Sequence, residues 1–150
     1  MDNFPSKFKT ADESPGFLLW QVMHKWQRKQ QAMLRELGLT HIQFVLLASL
    51  GYLGKKEATV SQADLTKLAK TDKMVTSQVT RALEKGGYVL RSPHPHDGRA
   101  HTLRLTSKGE KIVARALPRV EKVDDEFFGP LGQEVERLTQ SLVRLSQTPD

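Results

Sequence analysis

Between Thr71 and Lys85 the chain reads TDKMVTSQVTRALEK, a segment dense in groups that hydrogen-bond to nucleic acid. On a helical period Lys73, Ser77, Thr80 and Arg81 share one face, with Thr76 on one flank and Gln78 on the other. Hydroxyls and a guanidinium presented to a major groove can read base edges, and Lys73 stands where a phosphate contact is natural. Val75, Val79, Ala82 and Leu83 are expected to face inward. Glu84 would repel phosphate and is expected to turn away or to pair with Lys85 or Arg81.

A second group of donors follows in the tip HPHDGRAH. Gly98 permits a tight turn, and Asp97 can accept hydrogen bonds from the backbone or from Arg99, holding that arginine at the end of the tip. An arginine held this way suits a minor groove, where negative potential is strongest over narrow A·T-rich sequence. Arg91 and Arg104 lie along the flanking strands and suit phosphate or intradomain contacts. Ser61 and Gln62 begin another helix, whose free amides can bind anions, although capping alone explains Ser61.

Other chemistry is poorly supported. His94, His96, Asp97 and His101 carry metal-ligand atoms at short spacing, but two prolines restrict their convergence beside Arg99, and no metal site or cofactor is expected. There is no glycine-rich phosphate loop between strand and helix, no nucleophile elbow and no evident carboxylate pair, so an enzyme is not expected. With no cysteine, disulfides, thiolate metal sites and thiol redox switches are excluded.

The elements that must position these groups can be read from caps and periods. Residues 1–16 contain two prolines and no sustained period, and are expected to form a flexible arm. Ser14-Pro15 starts a long helix ending at Gly38, apolar on more than one side through Phe17, Leu18, Trp20, Val22, Met23, Trp26, Met33, Leu34 and Leu37. Thr40 caps a helix carrying Phe44, Val45, Leu47, Ala48 and Leu50. Ala58 to Val60 suits a small strand, and Ser61 with Asp64 a capping box, before a short helix with Ala63, Leu65, Leu68 and Ala69 inward. Thr71-Asp72 then turns and caps a helix over Lys73 to Lys85, which makes a helix-turn-helix.

Gly86-Gly87 stops that helix, and Tyr88–Arg91 with Thr102–Leu105 forms a hairpin, a wing. A further helix opens at Thr106 or Ser107, with Val113, Leu117, Val120, Val123 and Phe127 as a packing seam and Pro118 expected to bend or break it. Leu131, Val135, Leu138, Leu142 and Leu145 continue a seam to the tail. These residues and Phe17 need a partner surface, so the two ends of the chain are expected to meet and pack against a second copy. The fold class is mainly α with a small β-hairpin, a winged helix-turn-helix whose terminal helices dimerise.

From about Phe17 onward the chain resembles the MarR family of transcriptional regulators, most specifically in RALEKGGYVLR and DGRAHTLRLTSKG. The resemblance implies a homodimer bound to a pseudo-palindromic operator on double-stranded DNA, usually as a repressor, with Arg99 in the minor groove. It implies a single domain over residues 17–150, with dimerisation helices at 17–38 and 118–150 around a DNA-binding lobe at 39–117. In similar proteins a small aromatic or anionic effector often binds between lobe and dimerisation helices; here Trp20, His24, His41 and Phe44 are the local candidates. A ligand-independent regulator and a winged-helix protein-interaction module remain the alternatives.

The whole-chain quantities agree with this frame. The chain has 150 residues, 38% hydrophobic and 27% charged, enough for one compact domain. Its net charge of +6 favours polyanionic partners. No apolar run approaches membrane length and the N-terminus resembles no signal peptide, so a cytoplasmic protein without membrane contact is expected.

Overall fold

The computed structural model describes residues 4–149. The first three residues of the expected arm, and Asp150, lie outside the described residues. Residues 4–13 of the arm are largely exposed and include a 3-10 turn at Ala11–Glu13, whose Glu13 carboxylate accepts the Lys9 amide at 2.9 Å.

The helices begin where side chains satisfy their first amides. Ser14 accepts the Phe17 amide to start α1 (Pro15–Arg35), and Gly38, at φ +71°, lets the chain turn after it. Thr40 and Gln43 form a reciprocal capping box on α2 (His41–Gly54). Ser61 and Asp64 do the same for α3 (Gln62–Ala69), and the Asp72 carboxylate accepts the amides of Met74 and Val75 to open α4 (Lys73–Lys85). Thr106 caps α5 (Ser107–Phe128), and after a 3-10 turn at Gly129–Leu131 the chain ends in α6 (Glu134–Ser146).

α2 is the centre of the fold. Phe44, Leu46, Leu47 and Leu50 are buried on it and join a core with Leu34 and Leu37, Leu65, Leu83, Val89, Leu103, and Ile112, Ala116 and Val120 of α5. A helix apolar around most of its circumference is stable only when other elements cover it, and α1, α3, α4, α5 and the hairpin do so.

The hairpin pairs β1 (Val89–Pro93) with β2 (His101–Leu105) antiparallel, Val89 opposite Leu105 and Pro93 opposite His101. The strand expected at Ala58 to Val60 does not form. Instead the Val60 carbonyl accepts the Leu103 amide at 2.8 Å, and Ser61 makes a single bridge to Thr102, which ties the start of α3 to the wing.

Three further expectations are met only in part. Pro118 does not break α5, which runs through it; Pro118 and Ala114 are both exposed, so water can serve the Ala114 carbonyl that loses its donor. The buried stripe of α5 is Gly109, Ile112, Ala116 and Val120, while Leu117 of the expected seam is exposed. On α3 only Leu65 is fully buried; Ala63 and Leu68 face outward.

Two contacts fix the hairpin and α1 against α5 and this core. The first is backbone on backbone. A Cβ added to Gly109 would overlap the Tyr88 carbonyl, and that same oxygen accepts the Thr106 amide at 3.0 Å. The second is a polar node where α1, α2 and α5 meet. One oxygen of Asp124 accepts from Trp26 Nε1 at 2.6 Å and Gln30 Nε2 at 2.7 Å, and the Trp26 ring meets His41 edge-on with centroids 5.0 Å apart. Burial pushes the His41 imidazole below the ordinary histidine pKa, outweighing the opposing pull of the Asp124 carboxylate.

Each contact has a measurable consequence. Gly109→Ala forces the Tyr88 backbone to shift and is expected to lower unfolding stability by about 2 kcal/mol in denaturant titration; an unchanged midpoint would show that the approach is not tight. His41 binds its proton more readily in the unfolded chain than in the folded one. Its contribution to stability is therefore complete above about pH 6.5 and is lost as pH falls through the depressed folded value. The His41→Gln variant is expected to lose less stability than the wild type between about pH 7 and pH 5. Parallel pH profiles for the two proteins would contradict this assignment.

Candidate nucleic-acid interface

The orientation of α4 decides which side chains it offers. Thr76 is 0% and Thr80 1% exposed, and they lie inward with Leu83 at spacings of four and three. This corrects the expectation that Thr80 faces outward with Thr76 on its flank. Their hydroxyls are satisfied within the helix, Thr76 donating to the Asp72 carbonyl at 3.0 Å and Thr80 to the Thr76 carbonyl at 2.8 Å, so only methyls and satisfied oxygens meet the core. The Thr76 hydroxyl also lies 2.7 Å from that of Thr71, linking the helix to the turn before it.

The opposite stripe is then Met74, Gln78, Arg81 and Lys85, all exposed, with Val75 and Ala82 on one flank and Lys73 and the half-buried Ser77 towards the other. Val75, expected inward, is exposed. Gln78, expected only on a flank, lies in the middle of this outward stripe. The signal that could have found it is the Thr76, Thr80, Leu83 spacing, because threonines can bond back to carbonyls four residues earlier and then be buried. Lys73 and Arg81 stay on the outer surface as expected, whereas Thr76 and Thr80 cannot reach DNA.

The wing tip is ordered by its own backbone. His94 donates its amide to the Ala100 carbonyl at 3.1 Å, and the Asp97 carboxylate accepts the Arg99 amide at 3.0 Å. Asp97 therefore shapes the turn rather than gripping the Arg99 guanidinium, which stays exposed with no acidic partner among the described residues. His94 and His96 sit with ring centroids 6.2 Å apart, and His94 Nδ1 accepts the His96 amide. Among the described residues no group of three or more His, Asp or Glu side chains is arranged to hold a metal.

Wing and helices enclose a cleft of about 630 Å³ lined by Gln62, Lys67, Lys73, His94, Arg99 and His101. Ser61 also borders it, but its hydroxyl and amide both donate to Asp64, at 2.6 and 2.9 Å, which holds that carboxyl below the usual carboxylate range. Ser61 thus acts as a cap and has no donor left for phosphate. The Gln62 Oε1 is buried without a partner beside it. On the other side of the wing Arg91 faces Arg81 and Glu84 across a shallow groove, and its Nε has no partner. Among the described residues, ion pairs engage only Arg119 with Glu36 and Lys122 with Glu126. Glu84, expected to turn away or to pair with Lys85 or Arg81, makes no ion pair among the described residues, and Lys73, Arg81, Lys85 and Arg99 are exposed.

The four residues expected to meet a small ligand occupy three environments. Trp20 is exposed and lies over His24, whose Nδ1 donates to the Trp20 carbonyl. Phe44 is in the core, and His41 lies against Trp26. The polar groups that converge there are Trp26, Gln30 and Asp124. Gln30 is fully buried, with its Oε1 unpartnered.

A family model described as the MarR family matches residues 39–101. The chain is 48% identical over 123 residues to YdcH, an HTH-type transcriptional regulator of Bacillus subtilis, with 82% of this chain and 84% of the relative covered. A MarR variant from E. coli solved in complex with operator DNA superposes with a TM-score of 0.77 at 26% identity, covering 87% of this chain and 91% of that one. BpsR of Bordetella bronchiseptica, solved to explain regulation of its DNA binding by 6-hydroxynicotinic acid, gives a TM-score of 0.78 at 25% identity over 88% of this chain and 98% of that one. With a helix-turn-helix, a wing and this degree of relatedness to YdcH, the chain belongs to the MarR family of winged-helix DNA-binding transcriptional regulators.

Proposed function

We propose that the protein is a homodimeric, sequence-specific repressor that binds a pseudo-palindromic operator in double-stranded DNA. The observation that carries this is the outward stripe of α4, beside a wing whose Arg99 has no acidic partner among the described residues. Gln78 and Arg81 have the donor and acceptor geometry for adenine and guanine edges, and Lys73, Lys85 and Arg91 suit phosphates. Arg99 at the wing tip suits the minor groove.

A second copy is supported by apolar surface that one chain leaves open. Phe17, Leu19 and Trp20 of α1 are 42%, 56% and 58% exposed, and Leu131, Leu142 and Leu145 around α6 are 39%, 44% and 63% exposed. No residue of α6 is buried, and Val135 and Leu138 are only half-buried. An amphipathic helix is held in place by burial of its apolar face, so α6 requires a partner. Among the described residues no helix is long and apolar enough to cross a membrane.

Release by a small aromatic or anionic effector is supported by the similarity to BpsR and by the polar node of Trp26, Gln30, His41 and Asp124. The unpartnered Gln30 Oε1 offers an acceptor to a hydroxyl-bearing ring there.

Electrophoretic or anisotropy titration with duplex DNA tests the interface. Arg99→Ala is expected to weaken binding across many duplexes and to reduce the salt slope by about one. Gln78→Ala and Arg81→Ala should each lose about ten- to a hundredfold at one base position and so relax sequence preference. Equal losses on every operator variant for all three proteins would refute the assignment of the base-reading face. For the dimer, Leu138→Asp places a charge in the apolar seam and should yield monomer or unfolded chain by sedimentation. A wild-type protein that sediments as a monomer at micromolar concentration would rule the dimer out.

A further inference from the structure

The first turn of α4 carries two apolar side chains that the core does not use. Met74 is 71% and Val75 40% exposed. Their backbone is held rigidly, since the Asp72 carboxylate accepts both of their amides, at 2.7 and 3.3 Å. Met74 heads the same outward stripe as Gln78 and Arg81, and Val75 lies on its flank beside Gln78 and Ala82.

The surroundings select the occupant. Lys67 and Lys73 border the cleft next to this turn, Arg81 follows on the stripe, and none of them has an acidic partner within salt-bridge distance among the described residues. A patch that is apolar at its centre and cationic around it fits a polyanion that displays apolar groups. In the major groove of a DNA duplex those groups are the C5 methyls of thymine, which stand beside the adenine edge that a glutamine can bond.

We propose that Met74 and Val75 are specificity residues that read thymine methyl groups, so that each half-site carries thymine beneath the first turn of α4. The inference rests on the DNA-binding reading above and adds a base identity to it. Contact of a methyl with either side chain removes apolar surface from water on both sides, so losing one methyl is worth about three- to fivefold in affinity.

The test uses the full chain and a duplex selected by it from a random pool. Each thymine is replaced singly by deoxyuridine, which deletes the methyl and keeps every hydrogen-bonding group. Wild-type affinity is expected to fall about three- to fivefold at one or two thymines per half-site. At those positions the penalty should vanish in Met74→Ala or Val75→Ala, while the two variants keep the wild-type circular dichroism spectrum and melting temperature. A selected site without thymine, deoxyuridine tolerated everywhere, or a penalty that persists in both variants would overturn the proposal and leave the DNA-binding reading standing. Failure to retain any duplex at low salt would overturn both.

Discussion

Thr76 and Thr80 pack against the core with their hydroxyls bonded to carbonyls of their own helix, and the rest of the DNA-facing surface depends on that contact. A helix has one rotation about its axis to set. Burying the Thr76, Thr80 and Leu83 stripe sets it for α4, and Gln78, Arg81 and Lys85 are thereby turned outward. A buried threonine whose hydroxyl lost its acceptor would carry the penalty of an unsatisfied polar group, about 1–3 kcal/mol, enough to favour a different rotation. The bond back to the preceding turn removes that penalty and lets a polar residue type serve as core.

The wing and the helix-turn-helix are held as one body by backbone contacts. The Val60 carbonyl and Ser61 join the start of α3 to β2, while Gly109 lets α5 pass against the Tyr88 carbonyl at the start of β1. The side-chain network at Asp124 then joins this lobe to α1 and α5. Movement between lobe and terminal helices would have to rearrange Trp26, Gln30 and His41 together, since all three meet at or beside one carboxylate.

Much of the fold could be read directly from the chain because its punctuation is local. Ser14, Thr40, Ser61, Asp72 and Thr106 all cap helices where the residue types indicate, and Gly38 and the Gly86-Gly87 pair end helices by chain geometry alone. What could not be read depends on the third dimension. On α4 Leu83 and Val79 lie inward as the pattern indicates, but Thr76 and Thr80 replace Val75 and Ala82 there, because burial follows whether a polar atom finds a partner and not residue type alone. Leu117 and Leu68 fit helical spacings but face away from this chain's core, and Ala116, too small to stand out, fills the buried stripe of α5. Asp124 meets Trp26 and Gln30 across more than ninety residues, a pairing that no local pattern announces.

In the proposed complex two copies present α4 to successive major grooves with the wings reaching the minor grooves beside them. Chemical footprinting on a selected operator measures this directly, with a major-groove methylating probe and a hydroxyl-radical probe used together. Two symmetric major-groove protections are expected about one helical turn apart, roughly 10 bp or a multiple of it, each accompanied by a minor-groove protection that disappears in Arg99→Ala. A single asymmetric protection, or minor-groove protection unaffected by the loss of Arg99, would contradict this arrangement.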